Sequence, residues 1–257
     1  SQTTRHRIRF IINSEDYQIV ISDTPGLIEP KYQLQNSMMK FLKDTLIDSD
    51  ILLLMTTVGD KIKENKNFIK KIKNIKKKIF LLINKIDLTN QQTLENEVNL
   101  WEVKLPGIKI FPISALNNFN VEIVSKLILK NLPFSPAFFP KDQFTDKSKR
   151  FFVNEFIREQ IFLKFNKEVP YSTEVVTEVF DRSKENVIKI ESTIIVERET
   201  QKGILIGKNG LALKKVGTDA RKKLESFFKI KVHLKLFVKV NKKWRTNPKK
   251  LKLLGYN

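Results

Sequence analysis

Cysteine is absent from all 257 residues, and histidine occurs only twice. Without cysteine, the chain can hold neither a disulfide framework nor a cysteine-ligated metal site. Two histidines are too few for us to expect a histidine-based metal centre. The absence of cysteine is typical of proteins that work in a reducing cytoplasm.

Long apolar runs and a signal peptide are also missing. The longest apolar candidate, residues 51–55, has the length of a strand and falls far short of the roughly 18 residues of a membrane-spanning helix. No secretory signal segment is recognisable at the N-terminus. The hydrophobic content of 41% nevertheless suffices for a packed core. We therefore expect a cytoplasmic globular protein of one large or two modest domains.

Positive charge is abundant and unevenly distributed. The formal net charge is +20, and residues 202–257 carry 17 basic side chains against two acidic ones. Residues 150–201 carry eight against ten, and residues 1–149 carry 23 against 16. A general bias toward lysine would raise all three segments alike. The concentration at the C-terminal end therefore predicts a surface for a polyanion such as RNA or DNA.

Strand and helix patterns alternate through the first half of the chain. Predicted strands cover 7–13, 17–22, 51–57, 78–83 and 108–112, and predicted helices cover 32–48, 64–75, 91–103 and 121–131. Alternation with nearly all-apolar strands favours a mainly parallel sheet with helices on both faces. Ligands of such sheets bind beyond the carboxyl ends of the strands.

Three prolines then interrupt the pattern, at Pro133, Pro136 and Pro140. We interpret 133–149 as a phenylalanine-rich linker that packs against the protein. Beyond it, a helix is predicted at 150–165, followed by strands at 172–180 and 187–197, two helices joined at Gly207–Gly210, and a strand at 229–240. The predicted domains are therefore 1–132 and 150–257, on either side of the linker 133–149.

An Asn-Lys-Ile-Asp sequence, Asn84 to Asp87, follows the predicted strand 78–83. The Asp87 carboxylate can accept hydrogen bonds from both N1–H and N2–H₂ of guanine, which adenine cannot supply. Asn84 would brace the loop and the stem of Lys85 would lie along the ring. The simpler alternative is a polar loop that ends a strand, and the motif alone does not separate the two.

Two other polar loops follow predicted strands. Asp23-Thr24-Pro25-Gly26 could hold Mg²⁺ through the carboxylate and let the Gly26 N–H approach a terminal phosphate, although this pattern is also a good turn. Ser114-Ala115 could offer a backbone N–H to guanine O6. Thr4, in a loop before the first strand, could close over the same metal ion, or it could simply be a polar lead-in.

The basic C-terminal segment contains Gly207-Lys208-Asn209-Gly210 between two predicted helices. Such a GxxG turn can present N–H groups to phosphates, as in KH domains, or it can merely join two helices. The final strand alternates apolar residues with a second face that is basic except for one phenylalanine. That face carries Lys231, His233, Lys235, Phe237 and Lys239. We expect it to contact RNA.

These motifs together resemble the Era family of bacterial GTPases over essentially the whole chain. The matching segments are "QTTRHRI", "DTPGL", "NKID", "PISA", "FFPKDQFTDKSKRF", "IREQI", "VPYS", "IIVERETQKGILIGKNG" and "LLGY". The resemblance implies an α/β fold: a Ras-like P-loop GTPase sheet, here lacking its first strand, P-loop and first helix, followed by an α+β type II KH domain. It implies GTP and Mg²⁺ as cofactors, GTP hydrolysis, and binding to the 3′ region of small-subunit (16S) rRNA in the pre-30S particle. A monomer is expected, and peripheral membrane contact stays open.

The resemblance also implies roles for individual residues. Thr4, Asp23 and Gly26 are the expected catalytic residues, with Thr4 and Asp23 as the metal ligands. The expected nucleotide-binding residues are Asp23, Thr24, Pro25, Gly26, Leu27, Asn84, Lys85, Ile86, Asp87, Ser114 and Ala115. The expected RNA-binding residues are Gly207, Lys208, Asn209, Gly210, Lys214, Lys215, Lys231, His233, Lys235, Phe237 and Lys239.

One feature of that family is missing: no G-x-x-x-x-G-K-[ST] sequence occurs, and no glycine precedes Gly26. Such a loop cradles the β- and γ-phosphates and supplies a Mg²⁺ ligand. We therefore expect the 257-residue chain by itself to bind GTP poorly and the sheet to have an open seam. Our preferred interpretation is an N-terminally incomplete Era-type GTPase. The alternatives are a non-hydrolysing RNA-binding assembly factor with a degenerate nucleotide site and, less favoured, a basic α/β nucleic-acid protein without a nucleotide role.

Overall fold

The computed structural model describes residues 3–61 and 65–256, apart from the side chain of Lys184. Its contacts divide the chain into two compact units. The middle unit is Leu46–Phe138, and the terminal unit combines Ser1–Thr45 with Phe139–Asn257. Among the described residues, the strands form three separate sheets of two, three and three strands.

The middle unit is a parallel sheet with helices. Its strands are β3 (Ile51–Thr57), β4 (Lys78–Asn84) and β5 (Lys109–Pro112), in the spatial order β3-β4-β5, and its helices are α2 (Lys66–Lys73), α3 (Gln91–Lys104) and α4 (Val121–Asn131). The elements predicted for this part of the sequence are confirmed, each to within two residues at either end. Residue 64 of the predicted helix 64–75 lies outside the described residues. Asn65 and Asn90 start α2 and α3, because each side chain accepts a hydrogen bond from an N–H in the first turn.

Helices cover both faces of the central strand β4. Leu81 and Ile83 lie in a cluster with Trp101 of α3, whereas Leu82 between them packs with Val124 of α4. Successive side chains of a strand point to opposite faces, so an all-apolar strand needs a partner on each side. The predicted parallel sheet with two covered faces is confirmed.

The terminal unit opens with a hairpin of β1 (Ile8–Asn13) and β2 (Gln18–Asp23), followed by α1 (Gln33–Asp48). Residues 139–146 run beside this hairpin. The Ile11 N–H donates to the Phe144 carbonyl at 2.9 Å, and the Gln18 side chain exchanges hydrogen bonds with the Phe139 backbone.

The linker packs against the hairpin through residues 139–146, but the rings of Phe134 and Phe144 stay exposed. Phe144 is 72% exposed and Phe134 is fully exposed. The C-terminal part of the linker is held through its backbone instead, which pairs with the edge of β1 and leaves the Phe144 ring outside.

The rest of the terminal unit has the element order of a type II KH domain. It comprises α5 (Lys149–Lys164), β6 (Glu174–Lys184), β7 (Val187–Val196), α6 (Glu199–Ile206), α7 (Leu211–Phe228), β8 (Lys231–Val240) and a final helix α8 (Pro248–Leu253). β6 pairs antiparallel with β7, and β7 pairs parallel with β8. The predicted α+β arrangement is confirmed.

One apolar face of this sheet forms the core beneath the helices. Val216, Ala220 and Leu224 of α7 recur every four residues, so they lie on one side of the helix, and all are fully buried. They pack in one cluster with Ile190 of β7 and Val232 of β8. This packing fixes α7 over β8 and thereby positions the Gly207–Gly210 turn at the start of α7.

Candidate nucleotide and RNA sites

The two loops predicted to read guanine meet in the middle unit. Because β4 and β5 are parallel neighbours, the residues after them lie at the same edge of the sheet. The Ala115 N–H donates to Asn84 Oδ1 at 3.0 Å, and the Ser114 hydroxyl donates to Asp87 Oδ1 at 2.5 Å. The loop after β5 therefore holds the side chains of Asn84 and Asp87 in place.

The turn between Asn84 and Asp87 is compact and strained at one position. Lys85 has a left-handed backbone conformation (φ 62°), and its N–H donates to Asn84 Oδ1 at 2.8 Å. Ser114 is buried, whereas Asp87 is exposed, so the carboxylate can reach a ligand while one of its oxygens is anchored.

We expected the Ser114-Ala115 turn to offer a backbone N–H to guanine O6, but both of its N–H groups have partners within the protein. The Ala115 N–H donates to Asn84 Oδ1, and the Ser114 N–H donates to the Phe119 carbonyl at 3.2 Å.

The two predicted metal ligands meet in the terminal unit. The Thr4 hydroxyl donates to Asp23 Oδ2 at 3.0 Å. This donation uses the hydroxyl proton and leaves the oxygen lone pairs of Thr4 for a cation. Pro25 is buried, Thr24 is half-buried, and Gly26 and Leu27 are exposed. Two hard oxygen donors side by side suit Mg²⁺.

The Gly207–Gly210 turn has a conformation that its sequence requires. Gly207 has φ 70° and ψ 179°, a region that is essentially restricted to glycine, and a Cβ there would lie 2.7 Å from the Ala212 Cβ. The N–H groups of Gly207 and Gly210 donate to carbonyls within the turn and the preceding helix. Lys208 and Asn209 are exposed at its tip, and their N–H groups are the candidates for a phosphate.

A groove of about 370 Å³ begins at this turn and runs between α7 and β8. Its floor is apolar and its helical rim is basic, a combination that suits bases and phosphates of a single strand. It is lined by Gly210, Leu213, Lys214, Gly217, Thr218, Arg221, Leu234 and Leu236. Of these, only Gly210 and Lys214 were among our expected RNA-binding residues. Leu213, Gly217, Thr218 and Arg221 share the spacing of one face of α7, and that signal could have identified them from the sequence. Leu234 and Leu236 come from β8.

The basic face of β8 lies on the side of the sheet away from this groove. Leu234 and Leu236 line the groove, and side chains alternate along a strand, so Lys235 and Phe237 point to the opposite face. Lys235 there approaches Glu191 of β7 at 3.5 Å. The structure brings the GxxG turn and Lys214 together but separates them from the basic face of β8. Contact between that basic face and RNA stays a prediction.

The sequence matches two protein families. Residues 1–85 match a family described as 50S ribosome-binding GTPase, and residues 168–245 match the KH domain. The GTPase Era of Alkaliphilus metalliredigens is 40% identical over 257 residues, which cover 99% of this chain and 87% of the relative. The GTPase Era of Syntrophus aciditrophicus is also 40% identical, over 100% of this chain and 84% of the relative.

The chain belongs to the Era GTPase family.

Solved Era structures agree with this assignment. A variant of Aquifex aeolicus Era bound to GDP and AlF₄⁻ superposes with a TM-score of 0.93 at 35% identity, covering 99% of this chain and 87% of the other. An Era complex with MgGDPNP and nucleotides 1506–1542 of 16S ribosomal RNA gives the same TM-score, identity and coverage.

In this Era chain, a buried polar cluster holds the segment that carries Thr4. The Arg5 guanidinium is buried, pairs with Glu174 at 3.1 Å and donates to the Thr173 carbonyl at 2.7 Å. The Tyr256 hydroxyl donates to the same Glu174 carboxylate at 2.6 Å. Burial opposes ionisation of Glu174, but Arg5 and Arg158 outweigh it and lower the pKa of that carboxyl. Our sequence reasoning gave these residues no role, because only the fold brings positions 169 residues apart together.

His6 follows Arg5 and lies among aromatic rings. It stacks on Tyr256 with a centroid distance of 4.3 Å and contacts Phe151 edge-on at 5.6 Å. Burial disfavours the charged imidazolium and lowers the pKa of His6 from 6.5 to about 4. In the described part of this Era chain, no three His, Cys, Asp or Glu side chains cluster as a metal site, and no helix has the length and apolarity needed to cross a bilayer.

Proposed function

We propose that this protein is a GTP-binding and GTP-hydrolysing ribosome-assembly factor that binds the 3′ region of 16S rRNA through its KH domain. Membership of the Era family supports GTP hydrolysis. The Era relative solved with MgGDPNP and a 16S rRNA segment supports both ligands. The carrying observation in this chain is the pair of cross-braced loops at the ends of β4 and β5, where Asn84 and Asp87 are held by Ala115 and Ser114.

In this proposal, Asp87 reads guanine. One of its oxygens is anchored by Ser114, so the carboxylate presents an oriented acceptor edge to the N1–H and N2–H₂ groups. Asn84 acts mainly by bracing, since its Oδ1 accepts from two backbone N–H groups. Lys85 and Ile86 shape the turn between them. Adenine offers no comparable donor pair, so the site should select GTP over ATP.

Thr4 and Asp23 are the residues that would hold Mg²⁺, and Thr24 to Leu27 form the adjoining phosphate-facing loop. Their oxygens fit the ion, because both are hard donors and the hydrogen bond between them leaves lone pairs available. When bound, Mg²⁺ neutralises charge on the phosphates. Leu27 follows Gly26 and is apolar, so we propose that it does not orient the attacking water as the corresponding glutamine does in Ras.

RNA binding is assigned to the Gly207–Gly210 turn and the groove beside it. The turn exposes Lys208 and Asn209, and Lys214 lies on the groove rim. Lys215 of α7 is exposed next to it. We keep Lys231, His233, Lys235, Phe237 and Lys239 as a second, separate candidate contact, because they occupy the other face of β8.

The same proposal includes the domain boundaries, the location, the assembly partner and the oligomeric state. We place the domain boundaries at 132/133 and 149/150, the protein in the cytoplasm, and the pre-30S particle as its assembly partner. The proposed resting state is a monomer, and peripheral membrane contact is left open.

The experiment that tests the proposal measures GTP turnover by the full-length protein. Phosphate release should occur with GTP and not with ATP, and Asp23→Asn should abolish it while the fold is retained by circular dichroism. The same preparation should bind an RNA spanning nucleotides 1506–1542 of 16S rRNA. RNA binding without any GTP turnover would favour the non-hydrolysing alternative, and turnover without RNA binding would remove the assembly role.

A further inference from the structure

A second concentration of positive charge lies in the middle unit, outside the KH domain. Residues 66–78 contain seven lysines and no acidic residue. The remainder of residues 1–149 carries 16 basic and 16 acidic side chains, so this short segment holds the whole excess of that part of the chain. The overall lysine content would place only about two lysines in thirteen residues. Lysine bias alone therefore does not explain it.

The structure arranges part of this charge as a stripe on α2. Phe68 and Ile72 are buried. Lys66, Lys70 and Lys73 follow the i, i+4, i+7 spacing of one helix face, opposite the buried side, and all are exposed. Successive members of the stripe are separated by about 4.5–6 Å along the axis, from the rise of 1.5 Å per residue.

Two more exposed lysines extend the stripe into what we call the lysine patch, which consists of Lys66, Lys70, Lys71, Lys73 and Lys76. None of the ion pairs found within residues 3–61 and 65–256 involves a member of the patch.

The neighbouring Lys77 and Lys78 differ from the patch, because their ammonium groups are engaged by the fold. Lys77 donates to the Ile47 and Ser49 carbonyls, and Lys78 donates to Asn131 Oδ1, all at 2.5 Å. Residues 66–78 therefore contain two lysines that bond within the fold and five, the lysine patch, that face solvent.

We propose that the lysine patch is a second RNA-binding surface that contacts the phosphate backbone of ribosomal RNA. The inference rests on the proposed function, which already brings this protein to rRNA. Phe68, the one aromatic residue in 66–78, is buried, so the patch offers no ring for stacking on bases. A lysine ammonium is a point charge on a flexible stem and lacks the rigid bidentate fork of arginine, so it suits contacts with phosphates. The contact is therefore electrostatic and independent of sequence.

The packing of α2 argues against the other polyanion that a basic helix can bind, an anionic lipid surface. Amphipathic helices bind membranes by inserting their apolar face. The apolar face of α2 is occupied: Phe68 and Ile72 share a buried cluster with Leu81 and Trp101.

The test compares two triple variants of the full-length protein. Lys66→Gln, Lys70→Gln and Lys73→Gln together neutralise the stripe. Lys40→Gln, Lys109→Gln and Lys130→Gln together remove the same charge from exposed positions outside the patch. Three probes are used: intact small ribosomal subunits, a short single-stranded oligonucleotide of the 16S rRNA 3′ end, and anionic vesicles of mixed phosphatidylserine and phosphatidylcholine.

The stripe variant should bind small subunits at least fivefold more weakly than the parent at 150 mM salt. The slope of log K against log salt should fall by about 2, because each lost phosphate contact removes roughly 0.7–0.9. Its affinity for the short oligonucleotide should stay within twofold of the parent, and the control triple should stay within twofold of the parent on both RNA probes.

Three results would overturn the proposal. Unchanged binding to small subunits would make the patch a solvated face, and equal weakening by the control triple would make the effect one of net charge. Loss of binding to anionic vesicles without loss of subunit binding would assign the patch to lipid. Failure of the proposed function looks different, because the parent itself would then bind neither RNA probe.

Discussion

The two loops proposed to read guanine and the Gly207–Gly210 turn proposed to bind RNA are ordered in opposite ways. In the two loops, side chains of Asn84 and Asp87 are held by hydrogen bonds from Ala115 and Ser114. In the turn, the glycines fix the backbone and the two side chains at the tip are exposed. One site orients side chains and the other orients a backbone.

This difference follows from what each site must distinguish. Telling guanine from adenine needs an acceptor held at one angle, so side-chain cross-bracing is useful there. Holding a phosphate of any nucleotide needs N–H groups and charge, which a glycine turn next to lysines supplies. Mutations should therefore act on selectivity in the middle unit and on affinity and salt dependence in the KH domain.

The largest effect is expected from Asp87→Asn in the full-length protein. Losing a carboxylate that accepts two hydrogen bonds should weaken GTP binding by about 2–4 kcal/mol. The amide should also relax the preference against xanthosine nucleotides. Isothermal titration with GTP and XTP measures both. Asp50→Asn makes the same charge change at another exposed position of the middle unit and should bind GTP like the parent. Equal GTP affinity in Asp87→Asn and the parent would remove the guanine-reader hypothesis.

We expect acid to destabilise the terminal unit through protonation of His6. Burial lowers the pKa of His6 from 6.5 to about 4, so the folded state binds this proton less tightly than the unfolded state. Its effect on the free energy of unfolding is therefore negligible above pH 6.5. Stability is lost as the pH falls from 6.5 to 4, by a total of about 3 kcal/mol.

Urea unfolding at a series of pH values checks the His6 prediction. His6→Phe keeps an aromatic ring against Tyr256 and removes the titration, so its stability should fall less between pH 6.5 and 4 than that of the parent. Above pH 7, the stability of the two proteins should depend on pH in nearly the same way. Parallel loss of stability in both over the acidic range would show that other groups carry the acid sensitivity.

Replacing Lys208 and Asn209 with aspartate should separate RNA binding from GTP turnover. Two carboxylates would face the phosphates, while Gly207 and Gly210 keep the turn. We expect at least tenfold weaker binding of a 16S rRNA 3′-end oligonucleotide and a smaller salt slope. Lys202→Asp with Lys242→Asp is a control with two carboxylates elsewhere in the basic segment. Parental RNA affinity at the same salt would mean that the turn only joins two helices.

The smallest effect is expected from Ser114→Ala. The variant removes the hydroxyl that orients Asp87 and leaves the carboxylate itself in place. Loss of one hydrogen bond should cost about 1 kcal/mol, or roughly fivefold in GTP affinity. The ratio of GTP to XTP affinity should shift in the same direction as in Asp87→Asn. An unchanged ratio would show that Asp87 needs no anchor from the second loop.

The fold could be predicted well from the sequence, because strand and helix periodicities are strong in this chain. The loops after β4 and β5 could be paired as well, since neighbouring parallel strands end at one edge. Two features could not be predicted. Arg5 meets Glu174 only because the fold closes a separation of 169 residues, and no local pattern marks that partner.

The second feature concerns which residues can face RNA together. The alternation of β8 predicts two faces but does not say which of them α7 covers. The structure shows that Leu234 and Leu236 lie beneath α7 and line the groove, so the basic face is directed elsewhere. Helix spacing from Gly210 to Arg221 was the signal that could have predicted most of the groove.

The central claim is that guanine recognition and RNA recognition are separate chemistries in separate parts of the chain. The most direct test is a single set of titrations in which Asp87→Asn and the Lys208→Asp, Asn209→Asp variant are each measured against GTP, and against the 1506–1542 RNA with Mg²⁺–GTP saturating for each variant. The account predicts that Asp87→Asn loses GTP affinity and keeps RNA affinity within twofold, and that the double variant does the reverse. Joint loss of both ligands in either protein would contradict it.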